Sequence, residues 1–307
     1  MTQFTPDELA RQIGTGLLTF PATHFDNALA FDEAAFRDHC SHLLDHPFAA
    51  LFAAGGTGEF FSLTPQEVMQ VTRAAAETTL GKVPVIAGCG YGTALACEMA
   101  QAAEEAGADG ILLLPPYLVQ ASQQGLADHI AAVCGATSLA VIVYARDNGI
   151  LAPETLAQLC EAHGNLVGYK DGLGDIEQFV AVRSLLGDRL TYIGGLPTAE
   201  TFAPAYLEMG CTTYSSAIAN FAPDFAMQFY RSVRAREHAQ VAAMMEDFVL
   251  PYAAIRNSGK GYAVSIVKAG MRAVGRPAGG VRPPLTDLRA GEFAELEALI
   301  ARISDAA

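Results

Sequence analysis

Asn165-Leu166-Val167-Gly168-Tyr169-Lys170 is a short apolar run closed by a lysine. Its length and composition predict a buried strand. Burial disfavours an ammonium and leaves a neutral amine, which can attack a ketone and form a Schiff base. A lysine that snorkels from a strand end to water is the other reading of this run. The chain has four lysines: Lys82, Lys170, Lys260 and Lys268. Lys82 follows the turn glycine Gly81, and Lys260 and Lys268 fall in a helical C-terminal stretch. Only Lys170 closes a core strand.

Outward from this run, similar β-type segments alternate with helical stretches. Upstream they begin near Thr15 (GLLTF), Phe48 (FAALFAA), Val83 (VPVIAG), Gly110 (GILLL) and Leu139 (LAVIVY). Downstream they begin near Leu190 (LTYIG) and Cys211 (CTTYS). Of the intervening helices, Pro65–Thr79 is the most clearly marked: Thr64 reads as its N-cap, Pro65 as the first helical residue and Glu67 as the capping partner. Eight evenly spaced strands with helices between them predict an α/β fold, a (β/α)8 TIM barrel. A doubly wound open sheet is the alternative, and eight consecutive βα units favour closure. The eighth strand ends near residue 215, leaving too much chain for one closing helix. Helices are expected over 224–235, 237–254, 261–274 and 290–303. The division is thus a catalytic barrel over 1–235 and a C-terminal helical extension over 236–307. Residues 275–284, rich in Gly and Pro, read as a fixed surface loop.

Composition excludes several function classes. The chain has 307 residues, 51% hydrophobic and 17% charged, enough apolar material for a large core. A formal net charge of −14 argues against a nucleic-acid backbone or an anionic membrane as partner. It leaves room for an anionic small molecule held by local donors. No run of ~18 apolar residues occurs, so no membrane span is expected. The stretch Met1 to Gln12 lacks the pattern of a signal peptide. Cys40, Cys89, Cys97, Cys134, Cys160 and Cys211 are scattered and read as reduced thiols of a cytoplasmic protein. The histidines show no ligand spacing, so no metal is expected, and chemistry carried by a lysine Schiff base calls for no other cofactor.

In a (β/α)8 barrel the reactive groups gather at the C-terminal ends of the strands. There the sequence places Gly55-Gly56-Thr57-Gly58-Glu59, Gly88-Cys89-Gly90, Pro115-Pro116-Tyr117 and Tyr144-Ala145-Arg146, then Lys170, Gly194-Gly195 and Ser215-Ser216. An amine nucleophile, two phenols, hydroxyls, a guanidinium and glycines form a coherent set for a carbonyl substrate. Singly each has a plainer reading: a tight turn, a packing aromatic, a solvated loop charge. Glu59 is expected to cap or anchor the following helix, and Cys89 to be a packed thiol.

These residues, with Gly16-Leu17-Leu18-Thr19-Phe20-Pro21 and Gly168-Tyr169-Lys170-Asp171, resemble the dihydrodipicolinate synthase and N-acetylneuraminate lyase superfamily over nearly the whole chain. The resemblance implies Lys170 as the Schiff-base lysine and Tyr144 as the proton-shuttling phenol. It places Gly56 and Thr57 at the substrate's α-carboxylate. It also implies Tyr117 as a dimer-contact and relay tyrosine, and a homotetramer built from tight dimers. Tyr144-Ala145-Arg146-Asp147-Asn148 departs from the usual Tyr-Asn-x-Pro of the synthases, and Gly56-Thr57 from their Thr-Thr. Gly58–Leu63, Gly194–Glu200, Tyr214–Ala217 and Val281–Leu285 look like the 5-dehydro-4-deoxyglucarate dehydratase branch. That branch converts a keto-deoxy sugar diacid to 2,5-dioxopentanoate, water and carbon dioxide. Arg146 is then the candidate for the distal carboxylate, and Gly195, Ser215 and Ser216 for the substrate's remaining contacts. A 2-keto-3-deoxy sugar acid aldolase, a condensing synthase, a non-catalytic sugar-acid-binding barrel and a metal-dependent barrel enzyme are the rivals.

Overall fold

In the computed structural model, which describes residues 2–304, the eight apolar runs become eight parallel strands. They are β1 (Leu18–Thr19), β2 (Ala50–Ala53), β3 (Val85–Cys89) and β4 (Gly110–Leu113), then β5 (Ala140–Ala145), β6 (Leu166–Asp171), β7 (Thr191–Gly194) and β8 (Thr213–Ser216). They close in chain order, with Leu18 opposite Ser215 and Thr19 opposite Ser216 where β1 meets β8. Closure excludes the open doubly wound sheet.

Side chains alternate along each strand, so the barrel has an inner and an outer layer. Leu18, Phe52, Ile86, Leu112, Ile142 and Ile193 fill the interior, and Leu9 and Ile13 pack against them from the helix Pro6–Ile13. That helix starts with a Thr5–Glu8 capping box and Pro6 at its first turn. The outer layer packs under the surrounding helices. Pro65–Thr79 begins as expected, with Thr64 and Glu67 capping each other.

The aim of Lys170 depends on an irregularity in β6. Val141 pairs with Leu166, but Ile142 pairs with Gly168, so the register slips by one residue. Val167 lies in the inner cluster and Tyr169 in the outer one. Simple alternation from Val167 would send Lys170 outward. The slip sets Gly168 and Lys170 opposite the inward-facing Ile142 and Tyr144 instead. Position 168 must be glycine for this, because a Cβ there would stand 2.9 Å from Ile142 Cγ1.

Beyond β8 the chain is helical: Pro223–Arg234, His238–Met244, Leu250–Asn257, Tyr262–Ala273 and Ala290–Ser304. The single helix expected over 237–254 is interrupted by a π-helical turn, Met245–Val249, and runs on to Asn257. The helices share one apolar cluster with Leu17 and Tyr214 of the barrel side. The expected surface loop 275–284 is partly buried: Ala278 and Val281 are packed, and the Phe25 amide donates to the Ala278 carbonyl at 3.0 Å. Arg282 clamps it by donating to both oxygens of Glu67 and to the Leu29 carbonyl. Residue 1 and residues 305–307, the outer ends of the two expected ranges, lie outside the described residues. No helix among the described residues is long and apolar enough to cross a membrane.

Candidate active site

The strand ends open into a cavity of about 250 Å³. Phe20, Gly56, Thr57, Tyr144, Arg146, Lys170, Gly195 and Ser215 line its barrel side. Tyr252, Arg256, Val264 and Leu285 line it from the C-terminal segment. No Asp or Glu is among the lining residues, so nothing in the wall repels an anion.

Lys170 is 4% exposed, and its Nζ lies 4.2 Å from the centre of the Phe20 ring and 4.1 Å from that of Tyr144. Two aromatic faces offset part of a cation's desolvation but supply no counter-charge. Burial, aided by the positive Arg146 nearby, pulls its pKa down to about 7. A large share of Lys170 is therefore neutral amine near pH 7, which nucleophilic attack requires. The snorkelling alternative does not apply, because the side chain turns inward. Gly195 makes room for it: a Cβ there would come within 2.6 Å of Lys170 Cγ.

Tyr144 is the neighbour of Lys170 across the β5–β6 register. Its hydroxyl donates to the Gly195 carbonyl at 2.7 Å. Burial raises its pKa, with Arg146 opposing the rise, so the phenol stays protonated at neutral pH. The Arg146 guanidinium sits 5.5 Å from the Tyr144 ring centre and gives its Nε to Asp147 at 2.7 Å.

The turn bearing Gly56 and Thr57 is anchored through Glu59. Contrary to expectation, Glu59 makes no side-chain cap to the short helix that follows. It reaches the C-terminal segment instead, pairing with Lys268 Nζ at 2.7 Å and accepting the Arg282 amide at 3.1 Å. Both side chains of the ion pair are essentially inaccessible, at 1% and 0% exposure. Buried charges need partners, and here each meets the other's need. Lys268 is thus the second buried lysine, paired where Lys170 is not. Lys268→Met strands the Glu59 carboxylate and is expected to destabilise the protein by about 3–5 kcal/mol, read from denaturant midpoints. The double variant Glu59→Gln/Lys268→Met should recover most of that loss. A single variant as stable as the parent would refute the anchoring role.

Two expected residues do not line the cavity. Ser216 is fully buried, and its hydroxyl donates to Glu200 Oε1 at 2.6 Å. Tyr117 is 65% exposed on the loop after β4, edge-on to Tyr91 with ring centres 6.3 Å apart. Cys89 is buried, and burial pushes its thiol up to about 12, so it is inert. Three residues escaped sequence reasoning: Arg256, Tyr252 and Glu200. Glu200 is fully buried, which pushes its carboxyl up to about 7. Its Oε2 has no hydrogen-bond partner among the described residues. No group of three or more His, Cys, Asp or Glu able to hold a metal occurs among the described residues.

A sequence model of the dihydrodipicolinate synthetase family matches residues 14–303. The chain is 65% identical over 300 residues to a probable 5-dehydro-4-deoxyglucarate dehydratase of Methylobacterium radiotolerans, with 98% of this chain and 99% of that protein covered. It is 62% identical over 305 residues to one of Ralstonia nicotianae, covering 99% and 98% respectively. Among solved structures it resembles dihydrodipicolinate synthase from Oceanobacillus iheyensis, with a TM-score of 0.89 and 25% identity over 98% of this chain and 99% of that one. The synthase from Bacillus clausii gives a TM-score of 0.88 at 25% identity, with 96% and 99% covered.

Proposed function

We propose a reaction and mechanism on the premise that this chain is related by descent to the proteins just described: it belongs to the dihydrodipicolinate synthetase family. It is a lyase that dehydrates 5-dehydro-4-deoxyglucarate, the activity that names its near-full-length relatives at about 60% identity. In our reading the products are 2,5-dioxopentanoate, water and carbon dioxide. The observation that carries the mechanism is Lys170: a buried amine outside every ion pair of the described residues, packed against the Tyr144 ring in the wall of a cavity whose charged lining residues are all cationic.

The substrate has a ketone beside its proximal carboxylate, then a methylene, then two hydroxyl carbons and the distal carboxylate. The neutral amine of Lys170 adds to the ketone and expels its oxygen as water, leaving an iminium. The iminium acidifies the methylene. One proton is drawn off through the Lys170–Tyr144 pair, and the enamine expels the adjacent hydroxyl, which leaves as water with a proton from Tyr144. The result is a carbon–carbon double bond conjugated to the iminium. The bond between the last hydroxyl carbon and the distal carboxylate then breaks. Carbon dioxide departs and the electron pair flows through the conjugated system to nitrogen. The hydroxyl carbon is left as an enol, which becomes the aldehyde on protonation. Protonation of the enamine and hydrolysis free Lys170 and the keto acid. One lysine thus serves both eliminations.

Gly56 and Thr57 offer backbone and hydroxyl donors to the proximal carboxylate. Arg146 supplies positive charge toward the distal end, and Gly195 and Ser215 border the chain of the substrate. The exposed Tyr117-Leu118-Val119 edge supports a homotetramer of tight dimers, and six free cysteines support a cytoplasmic setting.

Incubation with the diacid and borohydride, followed by peptide mapping, should fix an adduct on Lys170, with carbon dioxide released in the unreduced reaction. Pyruvate in place of carbon dioxide would move the enzyme to the aldolases. A bound but untrapped ligand would support a non-catalytic barrel. Native mass spectrometry of the same sample reads the assembly, and a monomer mass would remove the tetramer.

A further inference from the structure

Two guanidiniums border the cavity, and they differ in what already balances their charge. Arg146 is paired with the Asp147 carboxylate at 2.7 Å. Arg256 lies in the last turn of the helix Leu250–Asn257, and its hydrogen-bond partners are neutral. Its Nη1 donates to the Pro197 carbonyl at 2.6 Å, and its Nε and Nη2 share Asn257 Oδ1 at 3.2 and 3.0 Å. No ion pair of the described residues includes it. The carboxyl whose field reaches it is Glu200, which is buried, receives a hydrogen bond from Ser216 and is held well above the usual carboxylate range. Glu200 is therefore a poor fixed counter-ion. Arg256 presents an unbalanced positive charge to a cavity with no carboxylate in its wall.

We propose that Arg256 determines specificity for the diacid, receiving the substrate's second carboxylate while Gly56 and Thr57 hold the first. The inference rests on the reaction proposed above and adds to it: the C-terminal helices take part in reading the substrate. The bonds to Pro197 and Asn257 fix the guanidinium at the mouth before substrate arrives, and a planar fork suits a carboxylate. The pairing is strong in the bound diacid and vanishes as the carboxylate becomes neutral carbon dioxide. It contributes to binding and does not lower the decarboxylation barrier, so its loss is expected in KM rather than kcat.

The test uses full-length Arg256→Met and Arg256→Lys beside the parent. Steady-state turnover of the diacid is compared with borohydride trapping of pyruvate, a 2-keto acid with one carboxylate. Loss of one charge-assisted pairing should raise the diacid KM about ten- to a hundredfold in Arg256→Met, with kcat nearly unchanged. Arg256→Lys should fall between that variant and the parent. Pyruvate trapping should be preserved in both, which also reports a folded site. An unchanged diacid KM in Arg256→Met, or equal losses toward diacid and pyruvate, overturns the proposal. A parent enzyme that traps pyruvate without turning over the diacid overturns the reaction beneath it, and this inference with it.

Discussion

Lys170→Ala is expected to lose diacid turnover by ~10³-fold or more while the barrel stays folded. Lys170 is the one lysine among the residues that line the cavity. Lys268, the other buried lysine, is held by Glu59 and by the Gly280 carbonyl at 2.9 Å, and it does not line the cavity. The side chain of Lys170 has no ion pair to break, so truncation strands no charge. It leaves a gap between Phe20 and Tyr144, and Lys170→Met fills that gap with an apolar chain of similar length. Stability then separates chemistry from structure. The Lys170 pKa is about 7 when folded and its ordinary value is 10.5. The unfolded chain thus binds more protons across that window, and the parent gains stability as pH rises through it. Lys170→Met should be at least as stable as the parent near and below pH 7, with the advantage shrinking toward pH 10.5. The same pKa sets the parent's pH profile: kcat/KM should climb as pH rises through about 7, where the free amine forms. An Ala variant retaining a tenth of the parent's turnover would remove the Schiff base. A profile flat from pH 6 to 8 would count against the depressed lysine.

The residues behind that prediction were not equally legible in the sequence. Strands were readable because parallel strands covered by helices are apolar on both faces, and runs such as GILLL and LAVIVY admit few other structures. The chemical type of Lys170 was readable for the same reason. Its aim was not. The slip between Val141–Leu166 and Ile142–Gly168 belongs to strand pairing, and no local pattern in NLVGYK encodes it. Of Ser215 and Ser216, alternation allows only one to face the cavity, and pairing with β1 decides which. That pairing leaves Ser215 in the wall and turns Ser216 to Glu200. Arg256 carries no local signal, and Glu59 reads locally as a helix cap, because the partners of both lie far along the chain. Arg256 meets Pro197 and Glu59 meets Lys268 only once the C-terminal helices fold back over the barrel mouth.

Tyr144→Phe probes the other half of the machinery and is expected to slow turnover by about 10²- to 10⁴-fold, the usual range for a positioned acid–base group. The ring stays, so Lys170 keeps the aromatic face 4.1 Å from its Nζ, and amine burial is little altered. What disappears is one hydroxyl that now donates to Gly195 at 2.7 Å. The Gly195 carbonyl is then short of a donor, a cost of about 1–3 kcal/mol in stability at most if water does not replace it. The hydroxyl has two further acceptor positions, so it can take a hydrogen bond from the carbinolamine while still bound to Gly195. To protonate the departing hydroxyl it must swing its O–H from Gly195 toward the substrate, a rotation about one bond. Burial raises the phenol above its ordinary value of 10.0 despite Arg146, so Tyr144 still holds its proton at the pH where Lys170 becomes neutral. The two groups therefore give a broad plateau, rising through about pH 7 and falling only above pH 10. In Tyr144→Phe the imine with pyruvate should still be trapped, more slowly, while dehydration of the diacid nearly stops. Such a variant accumulates the substrate imine, which intact mass after borohydride would show directly. Turnover within threefold of the parent would instead assign the proton to another hydroxyl in the wall, with Thr57 and Ser215 next in line.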